Sequence, residues 1–175
     1  HEIKKLIAEP FFDVGYSNES GLRELVQRAG STMDQIELDV ERTIVDRFLQ
    51  EVMQANPKAT YGEVMIRSAL DQGAVDTLLI SEAVTKRRVK WICKECKNTW
   101  KTSHDKSSAP PNCPECGSDK AFEDEEDSME LIDELTVLAG HTSAKVRIIS
   151  LDTEEGATLN TAFGGIAALL RYAIS

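Results

Sequence analysis

The sequence predicts an α/β fold in which helices cover a layered sheet, with a small inserted module and a helical segment ahead of the sheet. Helical patterns alternate with short β-branched runs after residue 60, which is typical of a layered α/β domain. All four cysteines fall within residues 93–116, between two such elements. The 175 residues are 41% hydrophobic and 29% charged, which is sufficient for a globular core.

Two helical segments are predicted before the alternating region. Ser20 is the candidate N-cap of the first, and Gly30 its stop. The second covers residues 34–54, where apolar residues recur every four positions: Ile36, Val40, Ile44, Phe48 and Val52. A spacing of four drifts around a helix of 3.6 residues per turn, so the two ends of this stripe should face different neighbours. This pattern fits a helix that bridges two domains and equally a bent core helix.

The alternating region contains six predicted elements. They are a helix over residues 63–71 stopped by Gly73, a buried strand over 75–80, a helix over 127–139, a strand over 145–150, a helix capped by Thr153, and a closing strand over 166–174. We expect Gly164 and Gly165 to form the corner before the closing strand, because glycine adopts backbone conformations that other residues avoid.

No feature of the sequence predicts export or a membrane partner. No apolar run approaches the roughly 18 residues of a membrane helix, and no basic-then-apolar leader is present. The chain is therefore expected in the cytoplasm. Because its first residue is His1 and not methionine, we expect the chain either to be part of a longer gene product or to follow a removed tag.

The cysteines form two matched pairs separated by sixteen residues: Cys93 and Cys96, then Cys113 and Cys116. A two-residue spacer presents two sulfurs to one ion, and a loop of this length returns the second pair to the first. Zinc prefers four such ligands at tetrahedral corners, and four thiolates leave no open position for catalysis. We therefore predict one structural Zn²⁺ per chain. Two disulfides, which need an oxidising compartment, and an iron–sulfur site are the alternatives.

Residues 88–122 are predicted to form a zinc ribbon around this site. Trp91 and Trp100 are expected on its strands, where they supply apolar cover. His104 is expected in a loop and outside the ligand set, because it fits no ligand spacing.

Charge is unevenly distributed along the chain, whose formal net charge is −10. Residues 86–106 contain eight Lys or Arg, whereas residues 121–134 contain eight Asp or Glu and no basic residue. Two solvated faces would explain both runs. The alternative is a local basic patch that binds RNA or an acidic partner, composed of Arg87, Arg88, Lys90, Lys94, Lys97 and Lys101.

Several stretches resemble one known family. Residues 15–26 (GYSNESGLRELV) are similar to the end of the central domain of archaeal and eukaryotic class-I peptide chain release factors. Residues 61–62, 69–80, 152–156 and 163–172 (FGGIAALLRY) are similar, in the right order, to the C-terminal domain of that family. The four-cysteine insertion resembles the archaeal branch.

The resemblance implies a three-domain protein that reads stop codons on the ribosome and promotes peptidyl-tRNA hydrolysis. Residues 1–39 would be the tail of the central, hydrolytic domain with a connecting helix, and residues 40–175 the C-terminal domain. In this family the C-terminal domain binds a translational GTPase, either a class-II release factor or an elongation-factor-like protein, and later a recycling ATPase.

The resemblance also separates binding from catalysis. The chain has no Gly-Gly-Gln motif, since Gly164 and Gly165 are followed by Ile166, and no codon-reading motif. No catalytic residue is therefore predicted in this chain. The family's partner-binding region corresponds to a C-terminal group of residues: Phe163, Gly164, Gly165, Arg171 and Tyr172.

Three other functions remain open at this point. A Pelota-like ribosome-rescue factor would share the C-terminal domain, but that family lacks a zinc ribbon. A zinc-ribbon nucleic-acid-binding module is disfavoured by the acidic surroundings of the ribbon, although direct nucleic-acid contact by the basic patch stays open. An enzyme is disfavoured because no Ser/His/Asp set and no phosphate-binding loop is present.

Overall fold

The computed structural model describes residues 13–174, which belong to two compact units. The first unit ends at Glu41 and the second begins at Arg42. The elements, in chain order, are α1 (Glu19–Val52), β1 (Ala59–Tyr61), α2 (Glu63–Asp71), β2 (Val75–Ser81), β3 (Arg87–Cys93), β4 (Thr99–His104), β5 (Ala121–Glu130), α3 (Leu131–His141), β6 (Lys145–Ile149), α4 (Glu154–Phe163) and β7 (Ile166–Leu170). None of the helices in the described part is long and apolar enough to span a membrane.

Helix α1 is one continuous helix of 34 residues, so the predicted stop at Gly30 is wrong. The amide oxygen of Asn18 accepts from the backbone N–H groups of Ser20 and Gly21, and Asn18 therefore caps the helix in place of Ser20. No atom lies within 4 Å of where a Cβ of Gly30 would be. The glycine thus lowers helix propensity by about 1 kcal/mol, which the flanking turns outweigh.

The apolar stripe of α1 is buried only in the second unit. Val45 and Phe48 are fully buried there, and Ile44 packs against the same cluster. In the first unit, Ile36 and Val40 are 49% and 47% exposed. The two ends of the stripe thus have different surroundings, as the drift of a four-residue spacing predicts.

The second unit contains a mixed four-stranded sheet in the order β1-β7-β2-β6. Strand β2 is parallel to β6, whereas β7 runs antiparallel to both β1 and β2. The predicted layered fold is confirmed. Every residue of β7 is buried, because helices cover both faces of the sheet.

Each face of this sheet has its own apolar cluster. On one face, α2 and α3 contribute Ile66, Leu70 and Leu135. On the other, the end of α1 and α4 contribute Phe48 and Leu159. Helix α2 has the predicted bounds, and Gly73 follows it with φ of 65°.

The last helix and its corner also follow the sequence. The Thr153 hydroxyl oxygen accepts from the N–H of Gly156 at 3.0 Å and caps α4. Gly164 and Gly165 have φ of 72° and 77° and form the predicted corner. A Cβ on Gly165 would lie 2.8 Å from the Val84 Cγ2, so no larger residue fits there.

Two boundaries differ from the prediction by four residues. Helix α3 begins at Leu131 and not at residue 127, because residues 121–130 form strand β5. Pairing of β5 with β3 outweighs the helical spacing of Met129 and Ile132. The closing strand β7 ends at Leu170, and residues 171–174 lie outside it.

Candidate metal centre

The ribbon is a separate three-stranded antiparallel sheet, in the order β4-β3-β5. Cys93 is the last residue of β3, and the other three cysteines lie in the connections between the strands. Trp91 on β3 is directly opposite Trp100 on β4, as expected for strand residues that cover the module. The Trp91 side chain is buried, and its indole N–H donates to the Thr102 hydroxyl at 3.0 Å. This small sheet supports the metal-binding turns at one end.

The two cysteine turns have the same backbone hydrogen bonds. In the first, the N–H of Lys97 donates to the carbonyl of Cys93 at 3.1 Å. In the second, the N–H of Gly117 donates to the carbonyl of Cys113 at 2.9 Å. Lys97 and Gly117 occupy equivalent positions, with φ of 60° and 71°. A left-handed residue is therefore required four positions after the first cysteine of each pair.

The four sulfur atoms converge, all lying within 4.8 Å of one another. The Cys93 and Cys116 sulfurs are 3.6 Å apart, and so are those of Cys96 and Cys113. Tetrahedral zinc with Zn–S bonds of about 2.3 Å requires sulfurs about 3.8 Å apart. A disulfide requires about 2.05 Å, and all four cysteines are free thiols. The arrangement fits a single metal ion held by four cysteines.

Contacts among the four sulfurs divide the thiols into two kinds, because they lower the pKa of Cys93 and Cys113 and raise that of Cys96. Burial opposes ionisation of Cys113, but the N–H groups of Cys116 and Glu115 outweigh it and lower its pKa to about 6. The N–H of Cys96 has the main part in lowering the pKa of Cys93. The backbone N–H of Asn98 favours the Cys96 thiolate, yet burial and the other three sulfurs raise its pKa to about 12. A metal ion therefore displaces protons from this cluster, and metal affinity should fall with falling pH.

His104 lies outside the ligand group. It is the last residue of β4, so the expectation of a loop position is wrong. Its ring meets the Trp91 ring edge-on at 5.1 Å, and Nε2 is 3.1 Å from the Ser108 carbonyl oxygen. His104 therefore packs against the ribbon and helps to shield Trp91 from solvent.

Residues 38–174 match the family model of eRF1 domain 3. The chain belongs to the eRF1 domain 3 family. It is 40% identical over 177 residues to peptide chain release factor subunit 1 of Methanococcoides burtonii, covering 98% of this chain and 42% of that relative. It is 41% identical to the same factor of Archaeoglobus fulgidus, covering 98% of this chain and 41% of the relative. The family predicted from the sequence is thus confirmed, and the chain spans about two-fifths of the length of these relatives.

Solved structures agree with the family. The C-terminal domain of a peptide chain release factor from Methanosarcina mazei matches with a TM-score of 0.74 and 40% identity, covering 90% of this chain and 98% of that one. Pelota of Archaeoglobus fulgidus matches with a TM-score of 0.56 and 21% identity, covering 94% of this chain and 40% of that one. At 21% identity, the match to Pelota shows that the two proteins share a fold and shows nothing more.

In this member of the eRF1 domain 3 family, the basic and acidic runs lie on neighbouring strands. Arg87 on β3 is 2.7 Å from a Glu123 carboxylate oxygen on β5. The Lys90 Nζ lies 3.0 Å from Asp124 and 2.6 Å from Asp127. A bulge in β5 brings both aspartates to one lysine. Arg87 and Lys90 of the basic run are thus paired with carboxylates of the acidic run.

The other basic residues differ in their surroundings. The Lys94 Nζ lies 5.8 Å from the centre of the Phe122 ring. Lys97 and Lys101 are exposed and form no salt bridge to any described residue. Lys94 is exposed as well, so these three lysines retain the charge that is most accessible to a partner.

A charged junction joins the ribbon to the α/β sheet. Arg67 on α2 pairs with Glu63 of the same helix at 2.8 Å and with Glu134 on α3. Arg88 on β3 lies 3.7 Å from both carboxylates. The Ser103 hydroxyl on β4 donates to Glu63. Burial raises the pKa of Glu63, but the Ser103 and Arg67 donors and the charge of Arg88 outweigh it and hold that pKa below its usual value.

Sequence reasoning did not find this junction. The only local signal that could have indicated part of it is the spacing of Glu63 and Arg67, since residues four apart meet on a helix. The partners of Arg88 are Glu63 and Glu134, which lie 25 and 46 positions away in the sequence. No local pattern indicates contacts over such distances.

The five predicted partner-binding residues form two structural groups. The Phe163 ring packs edge-on against Phe48 at 5.0 Å and against Tyr61 at 5.1 Å. Next to it, Gly164 is exposed, with open space where a Cβ would be. This first group combines a partly buried aromatic side chain with an accessible backbone corner.

The second group closes the ends of two helices. The Arg171 guanidinium donates to the carbonyls of Gly73 and Thr142, both at 2.9 Å. The Tyr172 hydroxyl donates to the Gln72 carbonyl at 2.9 Å. These carbonyls follow α2 and α3, where helices leave acceptors without intrahelical donors. Arg171 and Tyr172 thus have a structural role independent of any partner.

Proposed function

We propose that the chain is the C-terminal part of an archaeal-type class-I peptide chain release factor. The complete factor would direct translation termination at stop codons in the cytoplasm and promote peptidyl-tRNA hydrolysis. The observation that carries the proposal is the 40% identity to archaeal release factor subunit 1, across 98% of this chain. The match includes the ribbon as well as the α/β sheet.

This part would act as a binding module and not as the catalyst. The chain contains no Gly-Gly-Gln motif, and the family model that it matches is a single domain of the factor. We propose that it binds a translational GTPase on the ribosome and later a recycling ATPase. A related fold supports the ribosome and an ATPase as partners, since one solved relative is a ribosome-bound archaeal Pelota with ABCE1. Another relative, yeast Dom34, interacts with Hbs1.

The ribbon would hold one structural Zn²⁺ through Cys93, Cys96, Cys113 and Cys116. Sulfur separations of 3.6 Å support zinc, because they match the edge of a tetrahedral site. The zinc would fix the two turns relative to each other and perform no step of the reaction.

The GTPase surface would include the exposed corner beside Phe163 and the exposed part of Tyr172, which is 48% accessible. Gly164 offers a direct test. Asparagine tolerates its left-handed backbone, and no atom lies within 4 Å of the new Cβ. Gly164→Asn should therefore leave the fold intact and place a side chain in the interface.

The test is calorimetric titration of the zinc-loaded chain with an archaeal elongation-type GTPase, in the GTP-bound and GDP-bound states. We expect saturable binding in at least one state, and at least about fivefold weaker binding for Gly164→Asn. Gly117→Asn is the matched control, since Gly117 has φ of 71° and equally open surroundings in the ribbon. Lack of binding in both nucleotide states, or equal weakening by the control, would contradict the proposed surface.

A Pelota-like ribosome-rescue role is the second candidate, supported by a TM-score of 0.56 to an archaeal Pelota. The coding sequence upstream of His1 separates the two functions. A Gly-Gly-Gln motif in the preceding domain is expected for the release factor, and a complete upstream domain without it would favour rescue.

A further inference from the structure

The ribbon carries a cavity of about 230 Å³ that the proposed function does not use. It lies on the face of β3 that presents Arg87, Val89 and Trp91, and is closed on one side by the segment after His104. This volume is below the roughly 300–1,000 Å³ of pockets for drug-sized ligands. It is larger than the space of one water, about 30 Å³. A single planar ring system is the size of ligand that fits.

The floor of the cavity is formed by the apolar side chains of Val89 and Trp91. Val89 and Trp91 are 2% and 4% exposed, so the residues that form this floor are held in the core of the ribbon. The edge-on contact between Trp91 and His104 fixes both rings. Walls of this kind favour a planar aromatic ligand over a flexible aliphatic one.

One wall contains an acceptor without a well-directed donor. The Glu123 Oε1 is buried and accepts no hydrogen bond among the described residues, although the Arg87 Nη1 lies 2.7 Å away. A carboxylate oxygen can accept a second hydrogen bond, so Glu123 can still bind an N–H donor beside Arg87. A ligand with an amino group pointing at Glu123 would supply one.

The charged residues at the rim of the cavity determine which ligand charge is favoured. Lys106 is exposed and lies 2.9 Å from a Glu130 carboxylate oxygen, and Arg87 lies 3.9 Å from the same residue. A cationic ligand such as an arginine side chain would have to compete with Arg87 and Lys106 for the carboxylates that they already pair with. A neutral ring with an attached anion would instead place its donor at Glu123 and its negative charge at Lys106.

We propose that this cavity binds an amino-bearing nucleobase of single-stranded nucleic acid. Glu123 would accept from the exocyclic amino group, and Arg87 and Lys106 would attract the adjacent phosphate. Proteins recognise unpaired bases in this way, through flat apolar walls and hydrogen bonds to the base edge. The site is separate from Phe163 and Tyr172, so it is tested independently of the proposed GTPase surface.

Cytidine and uridine 5′-monophosphates form a matched pair of probes, because they differ at the base position where one has an amino group and the other a carbonyl. Each is titrated into the zinc-loaded chain while the indole N–H signals of Trp91 and Trp100 are followed by NMR. We expect a saturable shift of the Trp91 signal. We also expect about tenfold tighter binding of the cytidine nucleotide, which reflects one hydrogen bond to a charged acceptor.

Glu123→Gln should remove this preference, and Glu125→Gln should retain it. Glu125 is an exposed residue of the same strand that does not line the cavity. Retention of both indole signals and of one zinc per chain shows that each variant is folded. The preference of the unmodified chain for the cytidine nucleotide is measured without any variant, so it tests the proposal even if Glu123→Gln does not fold.

Three results would overturn the proposal. The first is equal binding of the two nucleotides, or a Trp91 shift that inorganic phosphate alone reproduces. The second is an unchanged preference in Glu123→Gln. The third is saturation by arginine amide but by neither nucleotide, which would make the cavity a site for a basic peptide.

Discussion

At the scale of single residues, the two cysteine turns differ at one equivalent position. Gly117 adopts φ of 71° without a side chain, whereas Lys97 adopts φ of 60° with one. The left-handed conformation costs a non-glycine residue about 1–2 kcal/mol. The turn that contains Lys97 is therefore strained, whereas the turn that contains Gly117 is not.

Lys97→Gly should stabilise the ribbon by about 0.5–1 kcal/mol. Relief of the left-handed conformation exceeds the extra freedom that glycine gives the unfolded chain, which is about 0.5–1 kcal/mol. Urea unfolding of the zinc-loaded chain measures this effect, with tryptophan fluorescence as the signal, because Trp91 and Trp100 both lie in the ribbon. Gly117→Ala should be destabilising in the same assay. A Lys97→Gly variant that is less stable than the parent would show that the lysine side chain has contacts that offset the strain.

At the scale of elements, the ribbon strands are connected to α2 and α3 by four charged residues. Glu63, Arg67, Arg88 and Glu134 have side chains that are each 21% exposed. Partly buried charges of this kind lose more when one partner is removed than surface pairs do. We therefore expect the junction to determine how firmly the ribbon is held.

Glu63 makes this junction sensitive to acid. Its pKa is lower in the folded chain than the ordinary value of 4.5, so its stabilising effect is fully present above about 4.5 and is lost as the pH falls through the folded-state pKa. Glu63→Gln should lower the free energy of unfolding by about 1–3 kcal/mol at pH 7. The difference between variant and parent should shrink below pH 4.

Denaturant unfolding at several pH values measures this prediction. Glu126→Gln is the control, since Glu126 is exposed in the bulge of β5. A difference between Glu63→Gln and parent that stays constant down to pH 3 would contradict the assigned role of Glu63.

Individual elements also show which parts of the structure could be predicted from the sequence. The two CxxC pairs predicted the cluster of four cysteines, because their spacing has a direct geometric meaning. Helix α2 was predicted with its observed bounds, since Gly73 marks its end. Strand β5 was missed because its acidic residues have low β propensity, and pairing with the cations of β3 becomes visible only in three dimensions.

Local sequence signals also led to one wrong helix boundary and gave no indication of some long-range hydrogen bonds. Gly30 was given more weight as a helix stop than its solvated position in α1 supports. The hydrogen bonds of Arg171 reach carbonyls at residues 73 and 142, which no local pattern indicates. Contacts between residues far apart in the chain were thus the part that the sequence left open.

At the scale of the whole molecule, the ribbon and the α/β sheet depend on different sources of stability. The α/β sheet has two buried clusters, centred on residues such as Leu78 and Phe48. The buried apolar side chains of the ribbon besides its cysteines are Val89 and Trp91. So small a core needs the metal.

Removal of zinc should therefore unfold the ribbon and leave the α/β sheet folded. With excess chelator, we expect all four thiols to react rapidly and tryptophan fluorescence to shift to the red. Amide hydrogen exchange should stay slow in β2 and β7. Loss of protection in those strands would show that the two parts unfold together, and thiols that stay unreactive, with no zinc in the purified chain, would exclude the metal site.

The order of the strands also bears on how the chain folds during its synthesis. Strand β7 lies between β1 and β2 in the sheet but follows all other described elements in the chain. A nascent chain that has emerged only as far as α4 has no partner for β1, and β2 lacks a neighbour on one side. The ribbon, complete by the end of β5, can take up its metal before this. During translation the module with the smaller core is thus the first to be finished, and the larger sheet closes when β7 leaves the ribosome.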